Sequence, residues 1–437
     1  MEENLVNQIG LRKEEKAFET RVALIPDQVK SLVEEHGIEF VVEPSTQRAF
    51  AEEEFEKAGA TAIQLKGSGV PVILGIKEMP IDFFEKDIAY VFFSHTIKGQ
   101  TYNMPMLQKI IDTESTLIDY EKIVDDKGRR LIFFGNWAGM AGISDTLRVL
   151  GNRLELEGIK PNPFAGMRPT IELTGLEGVK EEFKQLGKRI QEQGLPKEIT
   201  PFVLGFAGYG NVSRGAQGIF DLLPHEEVQP EDLPNLEPKN NLLYKCVFKE
   251  EHMVVPRDPS AKFELQDYYN FGNEKYSGVF HNYVQYLTVI MNCIYWTKKY
   301  PRLITKDFIR EHWKDESRRL HVIGDISCDI GGAIEFTLHC TTPAKPAFVY
   351  LVDDDRIELG VKGNGPVVMA VDNLPCELPK DASTAFSEIL WHFIPDIVHA
   401  DYNVNFEDLL LPFEIKNAVI LHQGKLTPSY QYINKFL

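Results

Sequence analysis

Three side chains that can exchange protons or hold a carboxylate lie beside hydrophobic segments early in the sequence. Lys77 follows the apolar run 70–76, His95 follows the run 88–94, and Arg21 lies in a polar stretch before a helix. Histidine titrates near neutral pH, and a lysine removed from water beside another cation loses its proton more readily. The planar guanidinium of arginine can form two parallel hydrogen bonds to a carboxylate, which the amine of lysine cannot do. Each residue alone has an ordinary structural explanation, but together they predict an acid–base site for anionic substrates.

Further charged residues surround these three in the sequence. Glu78 adjoins Lys77, and the run 119–130 contributes Glu121 and the adjacent arginines Arg129 and Arg130. Such residues lie on the surface by default, but arginines in pairs are also suited to anionic ligands. We therefore include them in the predicted site.

A glycine-containing segment in the middle of the chain predicts a dinucleotide-binding turn. The hydrophobic run 201–207 leads into Gly208 and Gly210 and then into 212–223, whose apolar residues recur at helical spacing. Gly208 would permit the tight turn, Gly210 would let the backbone approach a pyrophosphate, and the helix N-terminus would supply N–H donors. Ser213 occupies the place of the usual third glycine. The flanking strand and helix favour a nicotinamide cofactor over a structural glycine turn.

The sequence leaves the choice between NAD and NADP open but favours NADP. An acid about 20 residues beyond the first glycine would hold the ribose 2′-hydroxyl of NAD. Gln229 lies at that distance and would leave room for a 2′-phosphate, although Glu226, Glu227 and Glu231 flank it.

Alternating strand and helix patterns predict an α/β protein. Strands are expected at 38–42, 70–76, 88–93, 287–294, 321–325 and 348–352, and helices at 26–36, 137–156 and 176–190. We expect residues 1–150 to form a substrate domain and 151–334 a dinucleotide-binding Rossmann domain, with 335–437 returning to the first domain. The predicted fold is two doubly wound, Rossmann-like domains separated by a cleft.

Composition excludes several classes of protein. The 437 residues are 43% hydrophobic with a net charge of −18, which disfavours binding to nucleic acid or anionic lipid. No apolar run reaches the roughly 18 residues that span a bilayer, and the acidic start is unlike a signal peptide. Five widely spaced cysteines indicate neither a disulfide framework nor a zinc site. We expect a cytoplasmic protein of reduced thiols that binds no metal.

Several segments together resemble one enzyme family. They are 12–26, 77–80, 93–100, 119–121, 128–130, 134–142, 208–216, 292–296, 324–332 and 371–379. In this order they resemble the lysine-forming saccharopine dehydrogenases, above all the lysine–2-oxoglutarate reductase half of the bifunctional enzyme of lysine breakdown. The wider superfamily is that of alanine dehydrogenase and the transhydrogenase nucleotide domains, which implies an alanine dehydrogenase-like fold. The resemblance covers nearly the whole chain.

The resemblance implies a role for each matching residue. Lys77 and His95 match the acid–base pair, and Glu78 and Glu121 match acids that tune it. Substrate-binding positions are Lys16, Glu19, Arg21, Gln100, Arg130 and Phe134. Cofactor-binding positions are Arg129, Gly208, Gly210, Asn211, Val212, Ser213, Gln229, Cys293, Ile294, Tyr295, Asp325, Ser327 and Asp329. NADP is again the cofactor that the resemblance favours.

The implied reaction interconverts L-lysine, 2-oxoglutarate and NAD(P)H with saccharopine. The physiological direction, the exact amino donor and a homo-oligomeric state stay open, and a separate saccharopine-oxidising enzyme is an expected partner. An alanine dehydrogenase-like or other opine-type amino acid dehydrogenase is an alternative. A non-catalytic NADP(H)-binding regulator is another, although all the expected acid–base positions are filled.

Overall fold

A computed structural model describes residues 7–437 of the chain. The strands are β1 (Gln8–Leu11), β2 (Glu39–Val42), β3 (Thr61–Ala62), β4 (Val72–Leu74), β5 (Ala89–Phe92), β6 (Thr116–Asp119), β7 (Val203–Ala207), β8 (His225–Val228), β9 (Leu243–Phe248), β10 (Val254–Pro256), β11 (Tyr276–Gly278), β12 (Val289–Asn292), β13 (Val322–Asp325), β14 (Ala347–Leu351), β15 (Arg356–Leu359), β16 (Val367–Met369), β17 (Val419–His422) and β18 (Lys425–Leu426).

The α-helices lie between these strands. They are α1 (Pro26–His36), α2 (Glu52–Lys57), α3 (Met104–Asp112), α4 (Gly135–Leu156), α5 (Gly175–Gln193), α6 (Asn211–Phe220), α7 (Glu250–Met253), α8 (Leu265–Phe271), α9 (His281–Val284), α10 (Lys306–His312), α11 (Pro379–Leu390), α12 (Ile394–His399) and α13 (Phe413–Ala418). The predicted helices at 26–36, 137–156 and 176–190 correspond to α1, α4 and α5, and Gly194 caps α5 with φ 76°.

The chain divides into two compact units. The first comprises the chain up to Phe134 together with Pro379–Leu437, and the second is Gly135–Leu378. The chain therefore returns to the first unit at Pro379, later than the predicted residue 335. Helix α4, predicted to close the substrate domain, belongs to the second unit.

The first unit is built on one sheet in the order β18-β17-β6-β5-β4-β1-β2-β3. Strands β1 to β6 pair in parallel, and β17 adds an antiparallel edge beside β6. Every residue of β4, β5 and β6 is buried, as expected for a sheet covered on both faces. The hydrophobic runs before Lys77 and His95 are therefore central strands.

The second unit is built on a sheet in the order β15-β14-β16-β13-β12-β7-β9-β8. Six neighbouring strands, from β8 to β16, pair in parallel. Strand β14 pairs antiparallel with β16, so the predicted strand 348–352 extends this sheet and was wrongly expected to return to the first domain. The predicted α/β class with two doubly wound sheets is confirmed, and the cleft between them stays a prediction.

Glycines allow α4 and α6 of the second unit to pack closely. A Cβ atom at Gly215 would lie 2.1 Å from the carbonyl oxygen of Asn136, and one at Gly139 would lie 1.9 Å from that of Val212. Real Cβ atoms do not approach oxygen so closely, so both positions require glycine. Gly215, two residues after Ser213, therefore permits the close contact between helices α4 and α6.

Within residues 7–437, every helix is too short or too polar to cross a lipid bilayer.

We predict opposite effects for alanine at two glycines of α6. Gly215→Ala should destabilise the protein by about 2 kcal/mol or more, because the methyl group would collide with the backbone of α4. Gly218→Ala should be neutral or stabilising by up to about 1 kcal/mol, because that position is exposed and a Cβ there meets nothing within 4 Å. Thermal unfolding of the two variants measures the difference, and equal effects would contradict the packing described.

Candidate active site and dinucleotide-binding turn

Neighbouring parallel strands bring the predicted acid–base residues to one edge of the first sheet. Lys77 lies three residues beyond the end of β4, and His95 lies three residues beyond the end of β5. Strand β6 comes next in the sheet and leads into a single 3₁₀ turn that contains Glu121. The carboxyl ends of parallel strands share an edge, which is where open α/β sheets bind ligands.

Glu78 and His95 form a hydrogen-bonded pair. Nδ1 of His95 lies 2.6 Å from Oε1 of Glu78. The Asn103 side chain donates to the backbone oxygens of Ser94 and His95 at 3.1 and 3.3 Å. His95 has φ 49°, in the left-handed region that residues other than glycine seldom occupy. The contacts of Asn103 and Glu78 therefore hold a strained backbone in place. The imidazole is thereby fixed in direction.

The pKa of Glu78 shows how strongly this pair is coupled. Burial alone would raise that pKa, but the hydrogen bond and the charge of His95 outweigh burial and lower it to about 2. Glu78 is therefore a carboxylate throughout the physiological range and can stabilise positive charge on the imidazole.

Arg21 is held by an acid and an aromatic ring. Its Nε donates to Oε1 of Glu19 at 2.8 Å, and both side chains are almost completely buried. The guanidinium also lies 4.1 Å above the ring of Phe134, which stacks on Phe386. Such a cation–π contact and a forked ion pair orient the arginine rigidly.

The surroundings of Lys77 favour its neutral form. Burial lowers the pKa of Lys77, and the charges of Arg21 and Lys16 lower it further. Glu78 and Glu19 oppose this change without cancelling it. An amine that loses its proton more readily than usual is suited to act as a general base.

The structure adds Glu14, which the sequence reasoning missed. Its carboxylate accepts hydrogen bonds from the backbone N–H groups of Ile76 at 2.6 Å and Lys77 at 3.0 Å. Burial and the charge of Glu19 raise the pKa of Glu14 to about 7. Glu14 lies within the segment 12–26 that carries the resemblance, but only the folded chain shows that it fixes the backbone of Lys77.

Buried Asp119 links His95 to the run 119–130. Its carboxylate accepts from the backbone N–H of Ser94 at 3.0 Å and from that of Glu121 at 2.7 Å. Burial raises the pKa of Asp119. Glu121 in turn pairs with Arg130, whose Nη2 lies 2.5 Å from Oε1.

The remaining predicted residues of the first unit lie at the surface. Gln100 accepts a hydrogen bond from the Lys98 N–H at 3.2 Å. Arg129 is exposed and binds Asp125 with an N–O distance of 2.6 Å. The proposed contact of Arg129 with a cofactor therefore stays a prediction.

In the second unit, the glycine turn has the geometry expected of a dinucleotide site. Strand β7 ends at Ala207, Gly208 follows with φ 94°, and α6 begins at Asn211. Gly210 precedes the helix, and a Cβ there would meet open space. The N–H groups at the start of this ten-residue helix can receive a pyrophosphate. Val212 and Ser213 form its first turn, with Ser213 buried.

A cavity of about 340 Å³ opens beside this turn. It is lined by Gly208, Tyr209, Gly210, Glu250, Met253, Tyr268, Tyr269, Cys293, Ile294, Tyr295 and Tyr300. Five of these were predicted as cofactor-binding from the sequence. A turn with two glycines, a helix N-terminus and a tyrosine-rich wall fit a nicotinamide dinucleotide.

Asp325 and Ser327 lie at and after the end of β13, at the same edge of the second sheet as the glycine turn. Asp325 accepts from Asn292 at 2.8 Å, Thr337 at 2.6 Å and the Cys328 N–H at 3.2 Å. Burial raises the pKa of Asp325 to about 6 in spite of these donors. Ser327 donates to the oxygen of Ile294 at 2.5 Å. These contacts order the loop 325–332, which contains Asp329.

The structure does not bring Gln229 to the glycine turn. Gln229 follows β8, the edge strand of the sheet, and β9 lies between β8 and β7. Counting residues from the first glycine does not take into account that β9 lies between β7 and the strand that precedes Gln229. Gln229 therefore gives no support for NADP over NAD.

A Rossmann-like turn in one unit and an acid–base cluster in the other define a two-domain dehydrogenase. Family models for the alanine dehydrogenase/PNT N-terminal and C-terminal domains match residues 10–141 and 273–429. The chain belongs to the alanine dehydrogenase/PNT family, a family of oxidoreductases that use nicotinamide cofactors. Residues 7–437 contain no group of three or more His, Cys, Asp or Glu side chains that could hold a metal ion.

Relatives in lysine metabolism confirm the predicted resemblance. The chain is 37% identical to alpha-aminoadipic semialdehyde synthase of Arabidopsis thaliana over 95% of its own length and 40% of the relative's. It is 32% identical to the mitochondrial alpha-aminoadipic semialdehyde synthase of Rattus norvegicus, over 98% of its own length and 47% of the relative's. It is 29% identical to saccharopine dehydrogenase [NAD(+), L-lysine-forming] of Emericella nidulans, over 88% of its own length and 90% of the relative's. The chain thus spans less than half of the two synthases.

Solved structures show the same fold at low identity. An L-alanine dehydrogenase matches with a TM-score of 0.61 and 17% identity, covering 98% of this chain and all of the other. The transhydrogenase of Sinorhizobium meliloti matches with a TM-score of 0.52 and 14% identity, covering 97% and 100%.

We predict that Glu78 stabilises the protein in a pH-dependent way. Because its folded pKa of about 2 lies below the ordinary 4.5, its contribution is complete above pH 4.5 and is lost as the pH falls from 4.5 towards 2. Glu78→Gln should cost about 2 kcal/mol at neutral pH and progressively less in acid. Unfolding of the variant and wild type between pH 6 and pH 3 measures this.

Glu53→Gln is the matched control, because Glu53 is exposed. A destabilisation by Glu78→Gln that stays constant or grows as the pH falls would contradict the coupling to His95.

Proposed function

We propose that the chain interconverts L-lysine, 2-oxoglutarate, NAD(P)H and a proton with saccharopine, NAD(P)⁺ and water. The observation that supports this best is the arrangement at one sheet edge of a desolvated Lys77, the His95–Glu78 pair and a buried Arg21. The alpha-aminoadipic semialdehyde synthases and saccharopine dehydrogenases among its relatives point to the same substrates.

The reaction in the reductive direction requires several proton transfers. The ε-amine of the lysine substrate must be neutral to attack the ketone of 2-oxoglutarate, and the resulting hydroxyl must leave as water before the imine is reduced. Lys77 would accept the amine proton, because burial and neighbouring cations lower its pKa. His95 would donate a proton to the leaving hydroxyl, with Glu78 stabilising the protonated ring.

The cationic residues would orient the substrates. The two substrates carry three carboxylates, and Arg21 would bind one of them in the fork geometry that Glu19 and Phe134 fix. Arg130, Lys16 and Gln100 are proposed for the others. Fixing the reacting groups in this way can lower the barrier by several kcal/mol.

The bound dinucleotide would supply or accept the hydride. The chain would hold its pyrophosphate at Gly208, Gly210 and the N–H groups of Asn211 and Val212, as the turn geometry suggests. The loop with Asp325, Ser327 and Asp329 and the segment Cys293–Tyr295 would complete the site. A separate enzyme would consume the saccharopine. Cytoplasmic residence and a homo-oligomeric state stay predictions.

Substitution of the two acid–base residues should reduce turnover. We expect Lys77→Met and His95→Gln each to lower kcat by at least about tenfold with dinucleotide binding nearly unchanged, because each removes a proton-transfer group. Oxidation of NADH or NADPH with lysine and 2-oxoglutarate measures kcat. Pyruvate with ammonia replaces these substrates to test for an alanine dehydrogenase-like enzyme.

Lys57→Met and His36→Gln are controls, because both residues are exposed at helix ends. Unchanged kcat in both site variants would remove Lys77 and His95 from the mechanism, and a wild type without turnover on any amino donor would favour a regulator.

The pH profile should respond to Lys16. Because the charge of Lys16 lowers the pKa of Lys77, Lys16→Met should raise that pKa and move the limb of the kcat profile assigned to Lys77 to higher pH. Lys13→Met is the control, since Lys13 is not among the charges that act on Lys77. A limb that moves to lower pH would contradict the assignment.

A further inference from the structure

Two of the five cysteines meet in the loop that follows β13. The Sγ of Cys340 donates to the backbone oxygen of Cys328 at 3.4 Å, and the Sγ of Cys328 donates to the backbone oxygen of Ala370 at 2.9 Å. The backbone N–H of Thr341, the residue after Cys340, donates to the same oxygen of Ala370 at 2.7 Å. Both ends of the segment 328–340 are therefore held against the residue that follows β16, and the fold brings together two thiols that are far apart in the sequence.

These two cysteines differ from the others in their access to solvent. Cys328 and Cys340 are partly exposed, whereas Cys246, Cys293 and Cys376 are buried. Burial raises the pKa of Cys246 to about 12, so that thiol stays protonated and unreactive at neutral pH. A dissolved oxidant therefore reaches Cys328 and Cys340 before the other three.

The two neighbouring thiols are unequal in acidity. Hydrogen bonding with Cys328 lowers the pKa of Cys340, whereas hydrogen bonding with Cys340 and burial raise the pKa of Cys328. Burial and nearby carboxylates oppose the change at Cys340 without cancelling it; these carboxylates belong to Asp372, Asp325 and Asp329. Because the thiolate is the nucleophilic form of cysteine, Cys340 is suited to attack an oxidant and Cys328 to react second.

The same carboxylates select the kind of oxidant. Their negative charge, in a chain of net charge −18, repels an anionic oxidant such as a disulfide that carries carboxylates. A small neutral hydroperoxide is not repelled in this way. Hydrogen peroxide is the simplest member of that class.

We propose that Cys328 and Cys340 are a peroxide-sensitive thiol pair that forms a reversible disulfide, and that this disulfide weakens dinucleotide binding by the second unit. Disulfides in proteins of reducing compartments are usually transient and of this redox-sensing kind. The coupling to binding rests on the proposed use of a nicotinamide dinucleotide but not on the identity of the amino acid substrate.

The reaction consumes one peroxide and releases two waters. The Cys340 thiolate attacks one peroxide oxygen, so that an S–O bond forms, the O–O bond breaks, and the departing hydroxide combines with the proton that Cys340 has lost. The sulfur of Cys328 then attacks the sulfur of the resulting sulfenic acid, so that the S–S bond forms and the S–O bond breaks. The second hydroxide leaves as water with the proton of Cys328. Both sulfurs are thereby oxidised and both peroxide oxygens are reduced.

Hydrogen bonds connect Cys328 to the cavity beside the glycine turn. Its backbone N–H donates to Asp325 at 3.2 Å, and the preceding Ser327 donates to the oxygen of Ile294, which lines that cavity, at 2.5 Å. Sulfur atoms in a disulfide lie about 2.05 Å apart. Cys328 must therefore leave the oxygen of Ala370 when the disulfide forms, and we expect this movement to displace Ser327 and Ile294.

Peroxide treatment of the full chain, followed by peptide mapping under non-reducing conditions, tests the proposal. We expect one cross-linked peptide pair that joins Cys328 to Cys340 and that dithiothreitol separates, with Cys246 still a thiol. Titration calorimetry without amino acid substrates should show that oxidised wild type binds NADH and NADPH at least about fivefold more weakly than reduced wild type, the lower end of typical coupling between two sites. Reduction should restore binding.

Three variants separate the roles of the two thiols. Cys340→Ser should abolish the effect of peroxide on binding, because it removes the attacking thiol. Cys328→Ser should leave Cys340 as a sulfenic acid, which dimedone traps. His339→Gln is the matched control, because His339 is an exposed neighbour of Cys340, and this variant should still form the disulfide. Thermal melting of each reduced variant shows whether it is folded.

A peroxide-treated wild type in which Cys328 and Cys340 remain thiols, or pair with other cysteines, would overturn the proposal. So would a Cys328–Cys340 disulfide that leaves the affinity for both dinucleotides unchanged, or a loss of affinity that persists in Cys340→Ser. A reduced wild type that is inactive with lysine and 2-oxoglutarate would refute the proposed function alone, because disulfide mapping and dinucleotide binding require no turnover.

Discussion

The site of the first unit depends on the pairing of buried cations with carboxylates. Arg21 is almost completely removed from water, and a buried guanidinium is tolerated only with a matched acid, which Glu19 provides. Glu78 forms a hydrogen bond to the imidazole of His95, which is half-buried. At Lys77 the balance differs, because burial and the neighbouring cations outweigh the acids and favour the neutral amine. One cluster thus contains fixed charges together with an amine whose pKa is lowered.

Both units place their functional groups by the same rule of parallel sheets. In the first unit, three adjacent strands deliver Lys77, His95 and Glu121 to one edge. In the second unit, β7 delivers the glycine turn, and β9 and β12 deliver Glu250 and Cys293 beside it. Short side-chain-to-backbone hydrogen bonds then fix each group, as Glu14 does for the backbone of Lys77. The sheet topology thus determines at which edge the functional groups lie, and local polar contacts determine how each group is oriented.

Much of this organisation could be predicted from hydrophobic runs and the residues that end them. The strands before Lys77, His95 and Gly208 are continuous apolar segments, which is the pattern of strands buried on both faces. Strand order could not be predicted in the same way, because it depends on which apolar faces pack together after crossovers. For that reason the strand 348–352 was wrongly assigned to the first domain, and Gln229 follows the edge strand β8 and not the neighbour of β7. Glu14 was missed because its partners are backbone N–H groups, which carry no sequence signal.

The most direct test of the account is the pKa of the Lys77 amine itself. Competitive labelling with an amine-reactive reagent across a pH series, with the labelled peptides quantified by mass spectrometry, reports that pKa in the wild-type protein, and exposed Lys57 provides an internal reference. The account predicts that Lys77 titrates below the ordinary value of 10.5. A Lys77 amine that titrates at or above 10.5 would contradict the claim that this site holds a base ready to accept a proton.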